Sequence, residues 1–62
     1  MKRINEMNPY EKMKVNQLLG AIRSQADAAL VCAQKGDEVN LFMSLSKIQT
    51  LSNDLASVME IR

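Results

Sequence analysis

The chain has no histidine, no tryptophan, one cysteine, one proline and two glycines in 62 residues. Each shortage excludes something. With Cys32 as the sole thiol there can be no internal disulfide. One thiol without imidazole partners cannot build a zinc site, so no metal is expected. The missing histidine also removes the commonest general base. No glycine-rich phosphate loop and no paired-carboxylate motif takes its place. A Ser or Cys nucleophile would need a positioned base, and none is suggested. The sequence therefore offers no catalytic residue and implies no cofactor. No stretch approaches the roughly 20 apolar residues of a membrane span. The basic start Met1-Lys2-Arg3 is not followed by an apolar run, so it does not read as a signal peptide. A cytoplasmic location is the expectation, and an unpaired cysteine agrees with it.

Charge is nearly balanced at +1, but its distribution is uneven. Residues 1–36 hold Lys2, Arg3, Lys12, Lys14, Arg23 and Lys35 against Glu6, Glu11 and Asp27, giving +3. Residues 37–62 hold Lys47 and Arg62 against Asp37, Glu38, Asp54 and Glu60, giving −2. Two halves of opposite sign suit antiparallel packing of one on the other. The exterior of the second half is polar but barely charged, which makes it a poor phosphate-binding surface and disfavours a nucleic-acid partner.

What the chain does have is helix punctuation. Residues 1–7 read as a flexible arm. Asn8-Pro9-Tyr10-Glu11 puts Asn at N-cap, Pro at the first helical position and Glu at N3, the pattern of a capping box. Nothing then interrupts a helix until Lys35-Gly36-Asp37. Gly36 suits the C′ position, where φ is positive. Lys35 complements the helix dipole, and Asp37 can cap the next helix. The expected helices are 9–34 and 38–61. A connection this short makes them antiparallel neighbours. The predicted fold is all-α, a two-helix antiparallel hairpin occupying residues 8–62.

Helical spacing predicts a core stripe of Val15, Leu18, Leu19, Ile22, Ala26, Ala29, Cys32 and Ala33 on the first helix. The matching stripe on the second is Leu41, Phe42, Leu45, Ile48, Leu51, Leu55, Val58 and Met59. Residues 26–33 are apolar nearly all round, and Met43, Ala56 and Ile61 lie off the main stripe. Two helices cannot cover each other on two faces, so the spare apolar surface implies a partner or an oligomer. A chain this short buries only about 60% of its unfolded surface, which points the same way. Completion of the hairpin into a helical bundle, by a homo-oligomer or a helical protein partner, is expected. Gly20, Ser24 and Ala28 form a ridge of small residues at i, i+4, i+8. With Val31, Met43, Ala56 and Met59 they make up the expected partner or oligomer interface.

Some residues carry two readings. Gly20 is either tolerated on a helix surface or a point of close helix approach. Cys32 is either a small buried hydrophobe or a reactive thiol. Tyr10 either anchors the hairpin near the end of the second helix or, with Lys14 and Arg23, contributes to a small nucleotide site. The methionines, Met13, Met43 and Met59 among them, are core fill or adaptable contact residues.

The Lys35-Gly36-Asp37 turn, Leu18, Ile22 and the Leu41 to Met59 stripe resemble the small co-chaperone subunit of type III secretion needle proteins. That resemblance implies docking on a helical-repeat chaperone that guards a needle subunit. The length and plan are also similar to the Rop-type plasmid copy-control hairpins, which dimerise and bind paired RNA loops. This sequence departs from them in its weakly basic helix faces. The Phe42-Met43 segment followed by Lys47 resembles the second helix of phage-encoded hairpin oligomers that sequester cyclic nucleotide immune signals. Its spacing from the turn differs, and no site residue is carried over. The three resemblances imply, in turn, a protein-binding adaptor, chaperone or inhibitor, an RNA-binding regulator, and a nucleotide-sequestering oligomer. All place the chain in a bacterial cell, its own or that of a phage host.

Overall fold

The structure is a computed structural model that describes residues 3–60. A short 3-10 turn, Ile4–Glu6, precedes two α-helices, α1 over Pro9–Lys35 and α2 over Glu38–Met59. No strand occurs among the described residues. The helices pack side by side as an antiparallel hairpin 42 Å long. The fold class read from the sequence is the one observed. The expected end of α2 at residue 61 lies outside the described residues, as does Ile61 itself.

Each helix end has a local cause. The Asn8 side chain accepts a hydrogen bond from the Glu11 backbone N–H at 2.8 Å, and the Asn8 N–H donates to Glu11 Oε1 at 3.2 Å. These bonds satisfy two groups that a bare helix start would leave orphaned. At the other end Gly36 takes φ 73°, which an L side chain adopts only under strain. Its N–H donates to the Ala33 carbonyl at 3.2 Å, and the Asp37 N–H donates to the Cys32 carbonyl at 2.9 Å. That pair of bonds is a Schellman motif, and it turns the chain back within two residues. Asp37 then caps α2 by accepting from the Asn40 N–H at 3.3 Å and the Asn40 Nδ2 at 2.6 Å.

Most of the residues shielded along the hairpin fall in an alternation of three and four, with Ala21 and Met59 half-buried beside that line. On α1 the line is Glu11, Val15, Leu18, Ile22, Gln25, Ala29 and Cys32; on α2 it is Leu41, Ser44, Ile48, Leu51, Leu55 and Val58. These are a and d positions of a heptad, the seam geometry of a two-stranded antiparallel coiled coil. Counting outward from the turn, Ala29 is level with Ser44, a layer of two small residues that permits close helix approach. Ser44 is only 8% exposed. Among the described residues no buried side-chain nitrogen or oxygen lacks a hydrogen-bond partner.

Two expectations change here. Of the residues assigned from spacing to the core stripes, Phe42 is 73% exposed, Leu45 48% and Leu19 46%, and Ala26 and Ala33 are exposed as well. The seam uses Ser44 instead, which extends the alternation of Ile48, Leu51, Leu55 and Val58 back to Leu41. The N-terminal segment, expected to be loose, carries the 3-10 turn, and Met7 is only 5% exposed.

Candidate functional site: the two flanks of the hairpin

A seam this narrow leaves two flanks. In the heptad lettering, e positions border one side and g positions the other, and in an antiparallel pair e faces e and g faces g. A shallow groove of about 450 Å³ is lined jointly by Ala21, Gln25, Ser46, Lys47, Thr50 and Leu51. Ala21 and Lys47 are both g positions, so this groove runs along the g flank. Lys14, Lys35 and Asp54 occupy other g positions. We refer to this side as the polar flank.

The opposite flank is different in kind. Its e positions are Lys12, Leu19, Ala26 and Ala33 on α1, and Glu38, Leu45, Ser52 and Met59 on α2. The neighbouring b positions add Leu30, Phe42 and Ala56, with Asn16, Arg23 and Gln49 at the others. Between Ala26 and Ala33 on α1, and between Phe42 and Met59 on α2, no charged residue falls on this flank. Leu19, Leu30, Phe42 and Leu45 are all exposed. A second groove, of about 510 Å³, opens beside Ser52, Leu55, Ala56 and Met59 near the end of α2. No large side chain anywhere in the described hairpin is fully buried.

The expected interface residues divide between the flanks. Ala56 and Met59 lie on the apolar one. Gly20, Ser24, Ala28, Val31 and Met43 lie on the polar flank or the outer surface adjoining it. A Cβ added at Gly20 would meet nothing within 4 Å, so the small-residue ridge is not where α1 and α2 meet. Tyr10, Lys14 and Arg23 are all exposed. Tyr10 and Lys14 are one turn apart, but Arg23 lies about 14 Å further along and half a turn round. One hairpin does not gather these three side chains. Cys32 sits half-buried in the seam as an unpaired thiol.

The apolar flank is the feature that spacing rules blurred. Leu19, Phe42 and Leu45 were absorbed into a single broad stripe, and Leu30 into an all-round apolar run. The three-four alternation would have separated seam from flank.

Electrostatics add little chemistry. The Asp37 carboxyl is held below the usual aspartate range, first by the hydrogen bond from the Asn40 side chain, then by the Asn40 backbone N–H and the nearby Lys35 charge. This is a capping effect. Among the described residues no group of three or more potential metal ligands is clustered, and no helix is long and apolar enough to cross a membrane.

No protein-family model matches the chain, and comparisons with curated proteins and with solved structures found no match.

Proposed function

We propose that the chain is a non-catalytic protein-binding module that uses its apolar flank as the contact. The observation that carries this reading is the exposure of Leu19, Leu30, Phe42 and Leu45 on one side of the hairpin, whose charged residues are Lys12, Arg23 and Glu38 alone among those described. Scattered apolar residues on a surface are ordinary, but a contiguous apolar face on a protein this small marks an interaction site. Such a module acts as an adaptor, chaperone or inhibitor by lending helical surface to another helical protein or to itself. A cytoplasmic setting accords with the unpaired Cys32.

Two aromatic residues provide the test. Phe42 on the apolar flank is 73% exposed in the isolated hairpin, and Tyr10 on the polar side is 69% exposed. Free hairpins would show nearly equal solvent access at both. Hydroxyl-radical footprinting, with each rate normalised to the denatured chain, reads that access directly. The reading predicts that Phe42 is protected several-fold relative to Tyr10 at working protein concentration. Equal labelling of the two, alone and in cell extract, would remove the apolar flank as a contact.

A further inference from the structure

We infer that the occupant of the apolar flank is a second copy of this chain, packed face to face about a two-fold axis that runs along the hairpin. The inference rests on the proposed binding role of that flank and names its partner. Three observations carry it.

The first is area. A folded monomer of 7.0 kDa is expected to expose about 4,000 Å². This hairpin exposes 4865 Å², an excess of about 800 Å². A standard protein interface covers about 800 Å² on each partner. One interface therefore brings the chain to the surface area normal for its mass.

The second is the width of the apolar face. The extra apolar positions occur on both helices and on the same flank: Leu19 and Ala26 on α1, Leu45 and Met59 on α2. A lone helix laid in the groove would cover the inner edges and leave Leu30 and Phe42 in water. An occupant two helices wide covers the whole face, and this hairpin is itself such an object, equal in length and self-complementary under two-fold symmetry.

The third is charge, which also selects the arrangement. On this flank α1 carries Lys12 and Arg23, whereas α2 carries Glu38 and no cation. Over the full sequence the first half is +3 and the second −2. Packing α1 against α2 of the second copy avoids placing Lys12 and Arg23 opposite themselves. A two-fold axis parallel to the helices does this. It makes every neighbouring pair antiparallel and puts both Gly36 turns at the same end.

The experiment has two arms on the full chain. Sedimentation equilibrium should give twice the 7.0 kDa chain mass for the native protein. Leu45→Glu, which charges the apolar flank, should weaken association at least tenfold, while Thr50→Glu on the polar side should leave it unchanged. A native chain that stays monomeric at every concentration overturns the second-copy assignment but leaves the flank open to another protein. A dimer weakened by Thr50→Glu and not by Leu45→Glu overturns both the assignment and the binding flank itself. The second arm does not depend on the folding of a charged variant. A spin label at Gln34→Cys, in a Cys32→Ala background, reports the separation of the two turns. The parallel axis predicts about 25 Å, a bundle diagonal plus two side chains at helix spacings of roughly 10 Å. A separation near the 42 Å length of the hairpin would place the turns at opposite ends and overturn the arrangement.

Discussion

The two flanks of this hairpin are built from the same helices and border the same seam, yet they solve different problems. The polar flank alternates Lys14, Ala21, Ala28 and Lys35 on α1 with Asn40, Lys47 and Asp54 on α2. Small or charged side chains there leave the seam edge in contact with water at little cost. The apolar flank places Leu19, Leu45 and Met59 at the equivalent positions on the other side. The hairpin does not need those side chains for its own seam. The comparison separates the residues that make the hairpin from the apolar residues that the hairpin leaves exposed.

Substitutions can break or sharpen that contrast. The largest effect is expected in the seam. Leu51→Ala should cost about 2–3 kcal/mol, at the low end for a buried leucine because Leu51 is only half-buried. Denaturant unfolding would measure this, and the loss should be the same at every protein concentration, since it weakens each hairpin separately. Leu45→Ala should behave differently, with little loss in dilute protein and more where the flank is occupied. If the two variants respond alike to concentration, the division into seam and flank is wrong.

Next in size is the turn, which both flanks share. Gly36→Ala forces a side chain into a left-handed conformation at φ 73° and should cost about 1–2 kcal/mol. Nothing lies within 4 Å of the new Cβ, so the loss would be conformational and not steric. Equal unfolding midpoints for the native chain and Gly36→Ala would show that the turn contributes little to holding the helices together.

The smallest effect is electrostatic. The folded-state pKa of Asp37 lies below its unfolded value, because Asn40 and Lys35 favour the carboxylate. Its contribution is therefore fully present above the usual aspartate pKa, and it is lost as pH falls through the depressed value. Unfolding measured at a series of acidic pH values should show stability declining below about pH 4. Asp37→Asn should remove part of that slope; an unchanged slope would mean the cap carries no pH-linked stability.

The sequence made the helix boundaries legible because their causes are local. Asn8, Pro9 and Glu11 state a start, and Gly36 states a stop, whatever the rest of the chain does. The side of the helix that each apolar residue serves is a tertiary matter, and there the spacing was ambiguous. Leu45 and Ser44 are adjacent, and hydrophobicity alone favours Leu45 for the interior. The seam takes Ser44, which continues the three-four alternation set by Ile48, Leu51, Leu55 and Val58. The same choice moves Phe42 outward. Met7 was missed for a related reason: in an arm of seven residues the few apolar side chains, Met1, Ile4 and Met7, are too short a run to reveal which of them is covered. The binding candidates Tyr10, Lys14 and Arg23 were chosen by residue type, and helix geometry sends Arg23 to the other side of α1.

If the apolar flank is completed by a second copy, stability and association are one equilibrium. The most direct test is thermal unfolding of the native chain followed by circular dichroism from about 5 to about 500 μM. The account predicts a Tm that rises steadily with concentration, and a smaller rise for Leu45→Glu. A Tm that stays constant across that range, with the helices intact, would contradict it.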